Sequence, residues 1–307
     1  MHERVSMLVP ACVNGNTAMT IRDDCHGFLS LLDIIPVGLV IGHTETRCKL
    51  MRNLSEKLYI STIADNAAEL AHEYGLGLEI AEFCTAYNMD IDFEKWDALV
   101  HEKMHGISRF TFHAPYNELC PAALDPLIVD VTKKRYAQAY TLMCGYGIKA
   151  MIVHSGFVPA LYHESWFEEK SVMFWKEFIS DKPADFRLYL ENMLEPSPRM
   201  LCDIVKAVND KRFRLCLDIG HAAYMGASTP IETWVERTLP YLRHVHIHNN
   251  YGEYDSHNVP DDGKIDVRSI IQRILETVTN VTFTIESIDA KASMKWLKES
   301  GLLPRSA

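Results

Sequence analysis

Short β-rich apolar segments alternate with amphipathic helical patterns along most of the chain, and this alternation limits the fold more than any other feature. The predicted strands cover residues 57–62, 76–83, 108–115, 148–156, 186–193, 213–221, 243–250 and 281–287. The predicted helices cover residues 63–75, 93–106, 129–147, 165–179, 197–209, 230–242, 266–278 and 291–300. Strands that alternate with helices are typical of βαβ units with parallel strands. Eight such units predict an α/β protein with a closed (β/α)8 TIM barrel over residues 57–307.

An open, doubly wound sheet is the structural alternative for this pattern. Such sheets usually carry a glycine-rich phosphate-binding turn after the first strand. Here the first strand leads into STIADNA (61–67), which contains no glycine, so the barrel is favoured. Ser61 or Thr62 is predicted to cap the first helix, and Gly75 to end it.

Residues 1–56 precede the first predicted strand and are interpreted as an N-terminal extension of uncertain structure. Three interpretations stay open: a cap over the barrel bottom, a flexible extension, or leader sequence upstream of a start at Met51. The most apolar stretch, GFLSLLDIIPVGLVIG (27–42), is interrupted by Asp33 and Pro36. It is therefore a poor membrane span and a poor signal peptide.

Charge and cysteine content narrow the functional classes. A net charge of −10 disfavours a broad nucleic-acid surface, because phosphate contacts rely on Lys and Arg. The eight cysteines contain no CxxC pair, which is typical of free thiols in a reducing compartment. We therefore expect a cytoplasmic protein without a membrane or nucleic-acid partner. The oligomeric state stays open, with a homo-oligomer paired through outer helices as one alternative.

Acidic residues and histidines recur at the carboxyl ends of six consecutive predicted strands. The strand-end residues are His113, His154, Glu191, Asp218, His246 and Glu286, and three more (His221, Asp255 and His257) follow strands six and seven. Any one of them has a structural interpretation, such as a core histidine or a helix cap. Carboxyl ends of barrel strands form one face, so the set together predicts a divalent metal site at that face.

Strand seven carries three histidines with a period of two. His244, His246 and His248 therefore share one face of the strand. If that face lines the barrel, only the one or two histidines nearest the rim can reach a metal, and we predict His246. His244 would lie deeper, and His248 would stand at the rim or turn outward, so both are interpreted as supporting or surface residues.

The order and spacing of several short motifs resemble the xylose isomerase-like TIM-barrel superfamily, which includes sugar phosphate isomerases and epimerases and endonuclease IV. The motifs are HAPY (113–116), VHSG (153–156), LEN (190–192), LDIGHA (217–222), HVHIHNN…DSH (244–257) and IES (285–287). For isomerases and epimerases, the resemblance implies one metal held by Glu191, Asp218, His246 and Glu286. For endonuclease IV it implies three zinc ions, with the further ligands His113, His154, His221, Asp255 and His257.

The resemblance implies a metal-dependent sugar or sugar phosphate isomerase or epimerase with a small carbohydrate substrate. Glu191 and Glu286 would move the proton through an enediolate. One to three divalent ions, zinc or manganese, would be bound in each chain. His221 and Tyr116 would contact the substrate.

A zinc-dependent phosphodiesterase or AP endonuclease of the endonuclease IV type is the alternative function. The segment after strand two, CTAYNMDIDFEKW (84–96), lacks the arginine-bearing motif expected for such a nuclease. Asn117 follows HAPY where the nuclease pattern has an apolar residue, and Asn249 and Asp261 depart from patterns common among relatives. A non-catalytic metal-binding or sugar-binding barrel is a third interpretation.

Overall fold

The computed structural model describes residues 54–224 and 229–303, in which eight parallel strands form a closed barrel. The strands are β1 Leu58–Ser61, β2 Gly77–Ile80, β3 Phe110–His113, β4 Ala150–His154, β5 Arg187–Glu191, β6 Phe213–Asp218, β7 Leu242–Ile247 and β8 Thr282–Ile285. Each strand pairs with the next, and Tyr59 of β1 pairs with Thr284 of β8. This closure confirms the predicted (β/α)8 TIM barrel and rules out the open sheet.

Helices surround the barrel. They are α1 Ala67–Tyr74, α2 Tyr87–Asp90, α3 Phe93–Met104, α4 Pro126–Gly145, α5 Glu164–Ser180, α6 Arg199–Val208, α7 Ile219–Tyr224, α8 Ile231–Thr238, α9 Val267–Thr277 and α10 Ala290–Glu299. The sequence did not predict the short helices α2 and α7. The predicted strand 213–221 ends at Asp218 because that carboxylate accepts the backbone N–H of His221 and turns the chain into α7.

Of the two predicted ends of α1, the C-terminal end is confirmed and the N-terminal cap is wrong. Gly75 ends the helix in the left-handed conformation (φ 65°), as predicted, and donates its N–H to Ala71. The predicted cap at Ser61 or Thr62 is wrong, because Ser61 belongs to β1 and Asn66 precedes the helix. The hydroxyl of Thr62 instead donates to Glu82 in the loop after β2.

Large aromatic side chains fill the layer between the barrel and its helices. Tyr136, Trp175 and Trp234 project from α4, α5 and α8 and are fully buried. The ring of Trp175 packs on Phe213 of β6 with centroids 5.6 Å apart. The apolar layer therefore lies outside the strands, where it fixes the strand ends that carry the candidate site.

Parts of the sequence interpretation fall outside the described residues. Residues 1–53, 225–228 and 304–307 lie outside, so the division into residues 1–56 and 57–307 stays a prediction. Within the described part, no helix has both the length and the apolar composition that crossing a membrane requires. Cytoplasmic location stays a prediction. All five described cysteines are unpaired: Cys84, Cys120, Cys144, Cys202 and Cys216.

Candidate metal centre

All nine residues that the sequence selected lie at the carboxyl ends of the barrel strands or in the segments that follow them. The terminal residues of β3, β4, β5 and β6 are His113, His154, Glu191 and Asp218. His246 is the penultimate residue of β7, and Glu286 directly follows β8. His221 lies on α7, while Asp255 and His257 lie in the loop between β7 and α9.

Four of these residues form a compact buried group: Glu191, Asp218, His246 and Glu286. One ligand atom from each lies within 4.8 Å of the others. The Nδ1 atom of His246 is 2.9 Å from Glu286 Oε2, 3.2 Å from Glu191 Oε1 and 3.7 Å from Asp218 Oδ2. Three carboxylates and one imidazole around a single point are a donor set that suits zinc or manganese.

Unpaired polar atoms concentrate at this group. Ten buried side-chain nitrogen or oxygen atoms in the described part lack a hydrogen bond, and six belong to the site: Glu79 Oε1, Glu191 Oε2, His246 Nε2, His248 Nδ1, Asp255 Oδ1 and Glu286 Oε2. Leaving buried polar atoms unpaired costs free energy. Glu79 Oε1 and His246 Nε2 lie 3.0 Å apart and can satisfy each other. A cation bound by Glu191 and Glu286 would satisfy their unpaired oxygens, so the residues present fit a bound divalent ion.

Glu191 connects the four-residue group to the histidines of β3 and β4. Its Oε2 atom lies 3.4 Å from the Nε2 atoms of both His113 and His154. Tyr116 stacks on the ring of His154, with centroids 4.4 Å apart and planes 23° apart, and is half-buried. Tyr116 therefore lines the site beside His154, and part of its ring is exposed to solvent.

A second group of potential ligands lies next to the first and comprises His221, His248, Asp255 and His257. Asp255 Oδ2 is 3.1 Å from His221 Nε2 and 3.0 Å from His257 Nε2. Burial opposes a charge on His257, but its hydrogen bond with Asp255 and the charge of Glu286 outweigh burial and raise its pKa to about 9. The second group is therefore an arrangement of three imidazoles around one carboxylate, and His221 and His248 connect it to the first group.

Of the two positions expected for His248, standing at the rim or turning outward, the outward turn is wrong. The residue is fully buried, and its Nε2 atom lies 2.9 Å from Asp218 Oδ1. Gly220 makes room for the ring, because a Cβ atom there would lie 2.0 Å from His248 Cε1. His244 lies deeper in the barrel, as predicted, and is likewise buried rather than at the surface.

Sequence reasoning missed one residue of this region, Glu79 on β2. It is fully buried, and its Oε1 atom lies 3.0 Å from His246 Nε2. The signal was a single carboxylate in the middle of the otherwise apolar stretch LGLEI (76–80). A charged side chain in a strand that is buried on both faces needs a partner inside the barrel.

Neighbouring acidic and imidazole groups shift each other's pKa values within the site. Burial opposes ionisation of Asp218, but the imidazoles of His221 and His248 outweigh it and lower the pKa of Asp218 to about 2. Burial also opposes a charge on His221, but Asp218, Asp255 and Glu191 outweigh it and raise the pKa of His221 well above its usual range. Asp218 therefore stays ionised beside a protonated His221, and a cation that binds through His221 must displace that proton.

The side-chain amide of Asn249 organises the loop that carries two of the predicted ligands. Its Nδ2 atom donates to the carbonyl oxygens of Pro260 (2.8 Å) and Ile265 (3.0 Å). Its Oδ1 atom accepts the backbone N–H groups of Asn250 (2.9 Å) and Ile265 (3.1 Å). An amide satisfies both roles, whereas a carboxylate offers no donor.

Asn249→Asp is therefore expected to lower the free energy of unfolding by about 1–3 kcal/mol, because two buried carbonyl oxygens lose their donor and face a carboxylate. Urea denaturation would measure the change. Asn258→Asp is the matched control, since Asn258 takes part in the same loop through its backbone N–H and carbonyl. Equal stability of the Asn249 and Asn258 variants would contradict the role given to the amide.

The barrel sequence matches a known protein family. Residues 59–300 match the family described as xylose isomerase-like TIM barrel. An uncharacterized protein of Methanocaldococcus jannaschii is 26% identical in an alignment of 199 residues that covers 61% of this chain and 68% of that protein. The family match covers both candidate ligand groups.

Several solved structures share the fold. A D-tagatose 3-epimerase-like protein is 23% identical with a TM-score of 0.65, covering 80% of this chain and 96% of that chain. A Thermus thermophilus protein soaked with zinc chloride is 18% identical with a TM-score of 0.64, covering 81% and 100%. D-psicose 3-epimerase from Clostridium cellulolyticum is 17% identical with a TM-score of 0.56, covering 80% and 96%. With its family match over most of the chain and its closed barrel, the protein belongs to the xylose isomerase-like TIM-barrel family.

Proposed function

We propose that the protein is a divalent-metal-dependent sugar isomerase or epimerase that moves a proton on the carbon next to a carbonyl group. One observation carries the proposal. Glu191 of β5 and Glu286 after β8 approach the same atom, His246 Nδ1, at 3.2 and 2.9 Å. Two carboxylates from separate strands can serve as the paired acid and base that such a transfer needs.

The ion would be held by Glu191, Asp218, His246 and Glu286, whose donor atoms lie close together. When bound, a zinc or manganese ion supplies Lewis-acid polarisation of a carbonyl group. The names of two relatives support a sugar substrate: a D-tagatose 3-epimerase-like protein and a D-psicose 3-epimerase. Two other relatives support the metal, one soaked with zinc chloride and one with a bound zinc atom.

The two glutamates divide the proton transfer. Burial opposes ionisation of Glu191, but His246 and His154 outweigh it and hold its pKa well below the usual range. Glu191 therefore begins as a carboxylate and can accept the proton from the substrate carbon, leaving an enediolate. In an epimerisation, Glu286 serves as the acid that returns a proton to the opposite face of that carbon. In an isomerisation, one carboxyl group returns the proton to the neighbouring carbon.

Two further residues are proposed to contact the sugar. Tyr116 presents a half-buried ring beside His154, which suits the C–H face of a carbohydrate. His221 lies between the two ligand groups, 3.3 Å from Glu191 and 3.1 Å from Asp255. Its Nδ1 atom lies 3.0 Å from the Asn192 carbonyl oxygen, so a substrate hydroxyl would meet Nε2 in exchange for Asp255.

The function is tested by incubating the purified protein, loaded with zinc or manganese, with ketoses and aldoses in D2O. The set should contain phosphorylated and unphosphorylated sugars of each type. We expect an epimer or isomer that carries deuterium on the carbon next to the carbonyl group, because the exchanged proton passes through a carboxyl group. A set in which no sugar gains deuterium with either metal would overturn the proposal.

A zinc phosphodiesterase is the second candidate, favoured by the second ligand group. His248 Nδ1 and Asp255 Oδ1 are buried without hydrogen bonds in that group, as a further ion would require. Zinc content after loading distinguishes the two functions. About one ion per chain supports the isomerase or epimerase, whereas two or three ions together with cleavage of an abasic DNA duplex would support the phosphodiesterase.

A further inference from the structure

We infer that Glu79 is a positioning residue of the metal centre, which holds the His246 ring in the tautomer that turns Nδ1 toward the other ligands. The inference rests on the proposed metal-dependent function. Glu79 lies on β2, close enough to His244 and His246 to be a potential metal ligand itself, but its contacts support a different role. Its carboxylate meets residues of β3, β7 and β8, and β7 is not a neighbour of β2 in the barrel, so these side chains meet in the barrel interior.

One oxygen of Glu79 is anchored by the barrel itself. Glu79 Oε2 accepts hydrogen bonds from Thr111 Oγ1 at 3.0 Å and Thr284 Oγ1 at 2.8 Å. It also lies 3.1 Å from Nε2 of His244, whose other nitrogen lies 2.7 Å from the hydroxyl of Thr282. Three donors on one oxygen leave it fixed in place and leave no free lone pair for a metal ion.

The other oxygen faces His246. Glu79 Oε1 lies 3.0 Å from His246 Nε2, and neither atom has another hydrogen-bond partner. Nε2 must carry a hydrogen to satisfy this carboxylate, which leaves the lone pair of Nδ1 for coordination. That Nδ1 atom is the one that lies within 3.7 Å of Glu191, Asp218 and Glu286.

A purely structural role explains Glu79 poorly. Both Glu79 and His246 are fully buried, and burying a carboxylate costs more than burying an apolar side chain of the same size. The donors on Oε2 are the polar side chains of Thr111, Thr284 and His244, which a purely apolar barrel interior would replace with apolar ones. A carboxylate behind a coordinating histidine fixes the ring and raises the basicity of the ligand atom.

The test compares Glu79→Gln with Thr111→Val by titrating zinc against a chromophoric chelator. Glu79→Gln keeps the shape but removes the charge next to His246, and zinc affinity is expected to fall about 10–100-fold. Thr111→Val removes a hydroxyl from the same buried cluster but leaves the carboxylate facing His246, so its zinc affinity should stay within about threefold of the wild type. Equal affinity of the folded Glu79→Gln variant and the wild type would overturn the inference.

Nitrogen-15 NMR of the zinc-loaded wild type, with labelled histidine, needs no Glu79 variant. We expect His246 to show a protonated Nε2 and a coordinated Nδ1, assigned by the loss of its signals in His246→Gln. A protonated Nδ1 would overturn the role of Glu79 even if Glu79→Gln fails to fold. If the wild type binds neither zinc nor manganese, both the proposed function and this inference are wrong. If it binds metal but His246 has the opposite tautomer, only the inference is wrong.

Discussion

Glu191→Gln and Glu286→Gln are each expected to lower turnover of the sugar substrate by about 10²–10⁴-fold. Each replacement keeps the side-chain shape and removes the carboxylate that accepts or returns the proton. The two groups act in one reaction, so the double variant should lose little more than the worse single variant. The measurement is kcat with saturating zinc or manganese, together with metal content, because both side chains also face His246 Nδ1.

Glu195→Gln is the matched control for these variants. Glu195 is buried like Glu191 and lies four residues further along the chain, but it contacts the Ser155 hydroxyl and the Met193 N–H. Burial raises the pKa of Glu195, so a neutral amide is a close substitute for it. We expect turnover of this variant within a few-fold of the wild type. Full turnover in both Glu191→Gln and Glu286→Gln would contradict the acid–base scheme.

Removing the metal with a chelator is expected to lower the melting temperature by about 10 °C. An ion present at about 1,000 times its dissociation constant stabilises the folded state by roughly 4 kcal/mol. In a barrel of this size each kcal/mol corresponds to about 2–4 °C. Differential scanning calorimetry with and without added zinc measures the effect. His246→Gln, which removes the central imidazole, should show little change with zinc, and an equal zinc response in both proteins would contradict the assigned ligands.

The stabilisation by metal is expected to grow with pH. Burial opposes a charge on His246, but the acidic groups of Cys216, Glu191 and Glu286 outweigh it and raise its pKa well above the usual value. In the metal-free protein, this proton contributes stability that is fully present below about pH 6.5 and is lost as the pH rises through the raised pKa. A metal ion must displace the proton, so affinity increases with pH. The zinc-dependent rise in melting temperature should therefore be larger at pH 8 than at pH 6.

The chain's own pattern determined the barrel and the location of its site. Alternating strands and helices repeat eight times, and the strand ends carry acidic and histidine residues in a fixed order. Parallel strands in a closed barrel place their carboxyl ends at one face, so residues as far apart as His113 and Glu286 meet there by topology alone. The sequence also predicted the end of α1 correctly, because Gly75 adopts the positive φ that ends the helix and this depends only on neighbouring residues.

Only the tertiary structure decided which polar side chains support the ligands. Glu79 looked like one charge in an apolar strand, and its partners on β7 and β8 lie more than 160 residues away. The sequence leaves two positions open for His248, at the rim or turned outward, because β7 ends before it. In the structure Asp218 accepts its Nε2–H and Gly220 leaves space for its ring, so the side chain is buried. His248 is buried on the same face as His244 and His246, and contacts with Asp218 and Gly220 hold it there after the strand has ended.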